Sequence, residues 1–193
     1  MIFLIDLVAY CLVLVLAAIF NRLPENIALG IGRNVGKLFF YFSSRRRVAY
    51  ADLKAAFGER YSAAGRWAII RDHYARLGQM AVEFVRFPKL DRAAIERLIQ
   101  FHHPERFFDL PDHDRGTVLL TAHLGNWELM QIASGIRGKP VHVLARNQKY
   151  NRLNQLLNRF RETHGSVAIT RGMGIRDLIR ALKRREVIGM LGD

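Results

Sequence analysis

The spacing of hydrophobic residues changes near residue 115, which divides the chain into two kinds of structure. Before this point apolar residues recur with helical spacing, as in 77–85, where every third or fourth position is apolar. Beyond it, short continuous apolar runs alternate with segments of helical spacing. The pattern therefore predicts a helical first part and an alternating strand and helix second part.

Beyond residue 20, the first part is predicted to contain three helices. The spacing favours helices over 28–57 and 61–86, and Pro88 ends the second of these patterns. A short helix is predicted from Asp91 to Ile99, with Asp91 as its N-cap because a side-chain oxygen there accepts a bond from the first turn.

The second part is predicted to fold as an α/β domain with a mainly parallel sheet flanked by helices. Four short apolar runs rich in strand-forming residues cover 117–122, 141–145, 167–169 and 187–191. Helical patterns lie between them at 128–136, 151–164 and 175–185. Strands that alternate with helices of this length are typical of βαβ units, whose strands run parallel.

Residues 1–20 are apolar except for Asp6 and predict a membrane anchor. A helix needs about 20 apolar residues to span a bilayer, and this run reaches that length. Positive charge follows the run, at Arg22 and at 45–47, and positive charge marks the cytoplasmic side. We therefore expect the rest of the chain in the cytoplasm and the N-terminus outside or embedded. Asp6 leaves two alternatives open, a buried core helix or a segment lying in the interface.

Three regions follow from these patterns. We expect an anchor over 1–20, a helical region over 21–100 and an α/β core over 101–193. The sequence stops directly after the last predicted strand, where functional residues of parallel sheets collect. This ending indicates a core that is incomplete at its C-terminal end.

The charge balance restricts the partners. The 193 residues carry a formal net charge of +13, which suits nucleic acid, an anionic membrane surface or a phosphorylated or carrier-bound substrate. No helix-turn-helix, zinc-ligand or aromatic RNA-binding motif accompanies that charge, so we expect no nucleic-acid partner. The single cysteine, Cys11, excludes a disulfide within the chain and a cysteine-based metal site.

His123 and Glu128 are the candidate catalytic residues. His123 directly follows the first predicted strand, and Gly125 and Asn126 form the turn into the next helix. Glu128 falls in the first turn of that helix, from which its carboxylate can fold back towards the imidazole. A histidine base oriented by a carboxylate suits proton removal from a hydroxyl. The spacing of His123 and Glu128 alone also fits a structural role, in which the two residues cap and pack at the start of a helix.

Further polar residues are candidates for substrate binding. Arg146 and Arg171 follow the second and third strands at the same predicted sheet edge, where a guanidinium binds phosphate or orients an acceptor. Asn126 is a helix cap or a support for Glu128. His102 and His103 lack further ligands at suitable spacing, so no metal site is predicted.

The stretch from His123 to Glu128, His-Leu-Gly-Asn-Trp-Glu, resembles the His-(four residues)-Asp/Glu motif of the lysophospholipid-acyltransferase superfamily. The Gly-Asn-Trp-Glu form is similar to the branch of late acyltransferases of lipid A biosynthesis, the lauroyl and myristoyl transferases. The likeness extends over 45–57, 116–128 and 178–193. Arg146, Asn151, Arg161 and Gly165 also fall where that branch carries similar residues.

The resemblance implies a glycerolipid acyltransferase-like fold and an enzyme anchored in the bacterial inner membrane, with its site at the cytoplasmic face. His123 is then the general base and Glu128 its partner. Asn151 and Asp193, the latter at a recurrent acidic position, join Asn126, Arg146 and Arg171 as substrate-binding candidates. The implied donor is an acyl thioester on acyl carrier protein or CoA, the implied acceptor is a hydroxyl of a lipid A precursor, and no cofactor or metal is implied.

Three other functions stay open from the residues alone. The same chemistry serves acyl transfer to another glycolipid, an aminolipid or a lysophospholipid. The second alternative is a non-catalytic basic protein that binds membranes, and it is supported by the positive net charge alone. A metal-dependent hydrolase using His123 and Glu128 lacks the two-histidine helix motif that such enzymes usually carry.

Overall fold

The computed structural model describes residues 2–108, 115–145, 148–170 and 174–192, without the side chains at 2, 106, 107 and 170. The chain divides into two compact units. One comprises Met1–Leu16 and Arg86–Asp193, and the other comprises Ala17–Val85. The first helix, α1 (Ile2–Phe20), contributes residues to both.

The second unit is helical and contains α2 (Glu25–Phe42), α3 (Arg46–Phe57), a 3-10 turn and α4 (Ala63–Arg86). The predicted single helix over 28–57 is wrong, because the chain breaks after Phe42. Ser43 is extended there, and its hydroxyl is hydrogen-bonded to the Tyr74 hydroxyl at 2.7 Å. Serine side chains compete with the helical backbone for hydrogen bonds, which favours a helix end at this position.

Helices α2 and α4 cross with their backbones in near contact. The buried positions of α2 recur every four residues, at Ala28, Gly32, Gly36 and Phe40. A Cβ atom built on Gly36 would overlap the carbonyl oxygen of Tyr74. The absence of a side chain at this glycine therefore sets how closely the two helices approach.

The unit that contains residues 86–193 has α/β architecture, so the predicted fold class is confirmed. It begins with a 3-10 turn, α5 (Arg92–Leu98) and α6 (Glu105–Phe108). The Asp91 carboxylate accepts a hydrogen bond of 2.7 Å from the Ala94 amide, which confirms the predicted N-cap. The alternating part follows as β1 (Thr117–Thr121), α7 (Trp127–Ile136), β2 (Val141–Ala145), α8 (Asn151–Glu162), β3 (Val167–Thr170), α9 (Gly174–Lys183) and β4 (Val187–Leu191).

All four strands of the described sheet are parallel, in the order β1-β4-β2-β3. The last strand therefore lies between the first two, with Val187 beside Thr117 on one side and beside Val141 on the other. Because the strands are parallel, the carboxyl ends of β1, β2 and β4 meet at one edge. The residues that follow β1 are thereby brought to the edge where α/β proteins bind ligands.

The two faces of the sheet carry different layers. On one face Ile169 and Ile188 pack against Leu178 and Ala181 of α9. The alternate positions of the strands, such as Leu119, point to the opposite face, because successive strand residues alternate. That opposite face bounds the cavity described below.

Buried His142, on β2, contacts Glu186, just before β4, with 2.9 Å between Nε2 and Oε2. Arg184 donates two hydrogen bonds to the same carboxylate, at 2.9 and 2.8 Å. The hydrogen bond from Arg184 lowers the pKa of Glu186 most, partial burial opposes this, and the charges of His142 and Arg184 lower it further. This cluster joins the starts of two neighbouring strands.

Because the pKa of Glu186 is lowered in the folded protein, its ionised carboxylate stabilises the fold at pH values above the ordinary pKa of glutamate. This stabilisation is lost as the pH falls through the lowered pKa. We predict that Glu186→Gln costs most stability at neutral pH and that the difference from wild type shrinks on acidification. Denaturant unfolding of both proteins over a pH series measures this. A difference that stays constant with pH would contradict the assignment.

The α2–α4 crossing makes a second prediction. Gly36→Ala should destabilise the fold by about 1–3 kcal/mol, because the new methyl group overlaps the backbone of α4. Gly30→Ala, on the same helix with nothing within 4 Å of the added Cβ, is the matched control. It should be neutral or stabilise by up to about 1 kcal/mol through helix propensity. Equal midpoints for the two variants in thermal unfolding would disprove the steric argument.

Candidate active site

His123 lies just beyond the carboxyl end of β1, in a turn defined by local interactions. The Gly192 amide, after β4, donates a 2.8 Å hydrogen bond to the Thr121 carbonyl and so continues the pairing of the two strands. Gly125 has a φ of 63°, a left-handed conformation that glycine adopts without strain. Asn126 then caps α7 by accepting a 3.0 Å hydrogen bond from the Leu129 amide, which confirms the predicted cap.

The His123 imidazole packs edge-on against the indole of Trp127, with ring centroids 4.6 Å apart and an interplanar angle of 75°. Trp127 is the first residue of α7, so the helix start itself supports the ring. His123 is exposed. The aromatic contact restricts the imidazole on one side and leaves it accessible from the cavity.

His123 and Glu128 line one cavity of about 700 Å³, a size typical of small-molecule sites. Its floor is one face of the sheet and its walls come from α7 and from the segment before β1. The side chains of the floor and the α7 wall are mostly apolar and include Leu119, Val141, Val143, Met130 and Trp127. The cavity is therefore mostly apolar, with a few polar side chains, including His123 and Glu128, in its lining.

The Glu128 carboxylate is held by a bidentate ion pair with Arg161 of α8. Arg161 donates from Nη2 to Oε1 at 2.7 Å and from Nε to Oε2 at 3.0 Å. Gln131, one turn further along α7, donates to Oε2 at 2.7 Å. Both charged side chains are largely buried, with 17 and 18% exposed, so the pair is shielded from water. These bonds fix the orientation of the carboxylate beside the cavity.

The segment 99–108 contributes residues 99–104 and Phe108 to another wall of the cavity. The Arg137 guanidinium, just after α7, lies 4.6 Å from the ring centroid of Phe101 and 4.8 Å from that of Phe108. This cation–π pair ties the segment to the end of α7. His102 and His103 lie in the same wall, and His103 contacts Glu105 at 3.1 Å. In the described part of the chain, no group of three His, Cys, Asp or Glu residues is placed to hold a metal ion.

The substrate-binding candidates are only partly placed. Asn126 caps α7, and Asn151 is the exposed first residue of α8. Neither belongs to the described cavity lining. Arg146, Arg171 and Asp193 lie outside the described residues.

Sequence reasoning assigned no role to Arg161 or Gln131, the two partners of Glu128. Gln131 was within reach of a pattern argument, because residues three apart on a helix are neighbours. Arg161 lies 33 residues from Glu128, and nothing in the spacing of the sequence connects them.

Together these observations define an α/β protein with a histidine and a carboxylate beside an apolar cavity at the carboxyl edge of a parallel sheet. The chain matches the model of the family described as bacterial lipid A biosynthesis acyltransferase over residues 4–193. The match covers nearly the whole chain, and the protein belongs to this family. No curated protein matches the chain. Family membership confirms the resemblance drawn from the His123 motif and makes the protein an acyltransferase of lipid A biosynthesis in general terms.

The ion pair yields a prediction on stability. Arg161→Ala leaves the shielded Glu128 carboxylate without its guanidinium and should destabilise the fold by about 1–3 kcal/mol. Arg159→Ala, an exposed arginine on the same helix, is the matched control and should change stability by less than about 0.5 kcal/mol. Denaturant unfolding measures the stability of both variants. Equal losses of stability would show that the ion pair with Glu128 does not contribute more than an exposed arginine.

Proposed function

We propose that the protein transfers a fatty acyl chain from an acyl thioester to a hydroxyl group of a lipid A precursor. The observation that carries the proposal is the placement of His123 and Glu128 on one apolar cavity, in a chain that belongs to the family of lipid A acyltransferases. An apolar cavity of this size suits a fatty chain, which gains free energy by leaving water.

In this proposal His123 is the general base. Its imidazole takes the proton of the acceptor hydroxyl as that oxygen attacks the thioester carbonyl carbon. The tetrahedral intermediate then collapses, the carbon–sulfur bond breaks and the imidazolium returns the proton to the departing thiolate. We assign oxyanion stabilisation to backbone N–H groups at the start of α7, where the helix dipole also favours negative charge.

Glu128 acts in this proposal as the partner of His123, orienting the ring and stabilising the imidazolium. The support for this role is that the carboxylate lies on the same cavity and is itself immobilised by Arg161 and Gln131. Arg161 is then a positioning residue, because it acts through Glu128 rather than on the substrate.

The donor and acceptor sites follow the same reasoning. We propose an acyl carrier protein or CoA thioester as donor, since a chain with a net charge of +13 attracts acidic carriers and phosphates. Arg146, Arg171, Asn126, Asn151 and Asp193 remain our candidates for binding the phosphorylated acceptor. We place the enzyme at the cytoplasmic face of the inner membrane, where the apolar helix α1 supplies the attachment.

Expression of this chain in a bacterial strain that lacks its own late acyltransferases tests the reaction. Mass spectrometry of the extracted lipid A should show one added acyl chain. If lipid A is unchanged and a glycolipid, aminolipid or lysophospholipid is newly acylated, the proposed acceptor is wrong, whereas the proposed acyl transfer stands. No new acylated lipid from a folded, membrane-bound protein would refute the proposal.

His123→Ala should reduce acyl transfer about 100-fold or more, because it removes the base while the apolar contacts of the cavity remain. His73→Ala, an exposed histidine on α4, is the matched control and should retain activity. Product formation per folded protein is the measurement. Wild-type-like turnover by His123→Ala would exclude the imidazole as the base.

A further inference from the structure

The floor of the cavity has no side chain at its centre, where β4 carries a glycine. Gly189 lies beside Leu119 of β1 on one side and beside Val143 of β2 on the other, and all three residues line the cavity. Ile188, the preceding residue, packs against α9 on the opposite face, so a side chain at position 189 would point into the cavity. Glycine inside a strand weakens it and often marks a place where a ligand comes close to the backbone.

The space above Gly189 is narrow enough for one added carbon atom to change it. A Cβ atom built on this glycine would lie 2.9 Å from Val141 Cγ1 and 3.3 Å from Val143 Cγ1. Both valines belong to the cavity lining. A side chain at position 189 would therefore occupy cavity space that the wild-type protein leaves open.

Helix α7 bounds the same space from the other side. The residues that it contributes to the cavity lining include positions 127, 130, 131 and 134. These positions recur at intervals of three or four residues and therefore share one face of the helix. Since the cavity lies between this helix face and the sheet, any atoms added to the floor at Gly189 reduce its height.

Gly189 lies between the reacting end of the cavity and its inner end. On β2 the lining runs from Val141 to Ala145, about 13 Å at about 3.3 Å per residue, and Gly189 is paired with the middle residue, Val143. His123 lies beyond the carboxyl edge of the sheet, so the inner end is at Val141, which is only 2% exposed. A chain that enters beside His123 and follows the sheet must pass over Gly189 to reach the inner end.

We propose that Gly189 determines the length of the acyl chain that the cavity accepts, because it leaves the passage to the inner end open. This inference rests on the proposed acyl transfer and adds the residue that selects among donors. Each methylene group that leaves water strengthens the binding of a chain, so a longer chain is favoured as long as the inner end admits it. A side chain at position 189 excludes the end of a long chain and leaves the contacts of a short chain intact.

A competition among donors of different length tests the proposal. The full chain receives an equimolar mixture of octanoyl, decanoyl, dodecanoyl and tetradecanoyl thioesters with a lipid A precursor, and mass spectrometry gives the product ratios. Gly189→Val should lower the ratio of the longest chain that wild type transfers to octanoyl about tenfold, the effect of displacing about two methylene groups. Gly189→Ala should lower this ratio less. Because each ratio is measured within one sample, a smaller folded fraction does not change it.

Two further variants separate a change in cavity length from a general disturbance. Gly192→Ala is the matched control: its Cβ would lie 3.0 Å from Leu120 Cδ1, and neither residue belongs to the described cavity lining, so the product ratio should stay as in wild type. Val141→Ala removes two methyl groups at the inner end and should shift the ratio towards longer chains. A folded Gly189→Val protein with the wild-type ratio would overturn the proposal. If that variant does not fold, equal ratios for Gly189→Ala and Val141→Ala would overturn it.

Binding of free fatty acids distinguishes a failure of this inference from a failure of the proposed function. Displacement of a fluorescent fatty acid from the full chain measures the affinity for each chain length without acyl transfer. If wild type transfers no acyl group and Gly189→Val selectively weakens the binding of long chains, the proposed reaction is wrong and the role of Gly189 stands. If wild type transfers acyl groups and Gly189→Val changes neither the product ratio nor the relative affinities, the reaction stands and the role of Gly189 is wrong.

Discussion

The ion pair between Glu128 and Arg161 joins the two helices on which the cavity depends. Glu128 lies on α7, which follows β1, and Arg161 lies on α8, which follows β2. A bidentate guanidinium–carboxylate contact restricts direction as well as distance, so it defines how the two helices sit over their shared sheet face. The same contact restricts the Glu128 carboxylate, which lines the cavity together with His123. One interaction thus contributes to both the packing of the core and the arrangement of the site.

The sequence predicted most of the local structure because that structure is determined locally. The four apolar runs identified the strands, since buried parallel strands carry apolar residues on both faces. The Gly125-Asn126 turn and the Asp91 cap were predictable because each depends on the conformational freedom or side-chain oxygen of a single residue. The chemistry of His123 was likewise suggested by its position directly after a strand.

Other features depend on contacts between distant residues and were not predictable from spacing. The apolar pattern continues through Ser43, and the break there depends on a hydrogen bond to Tyr74 on another helix. The insertion of β4 between β1 and β2 leaves no trace in the pattern of any single strand. In the sequence, Asp6 only interrupts an apolar run. In the structure its carboxylate accepts a hydrogen bond from an amide at the start of α8, a helix that begins far along the chain. Proximity of Glu128 to Arg161 has the same origin.

The strand order has a consequence for biosynthesis. Within the described sheet β1, which precedes the turn that holds His123, pairs with β4, so this pairing cannot form until β4 has left the ribosome. Pairing of such distant segments is slow, because a long intervening loop must close first. The parallel pair β2 and β3, joined by α8, can assemble earlier. The cavity that His123 and Glu128 line therefore takes shape only once β4, which supplies part of its floor, has been synthesised.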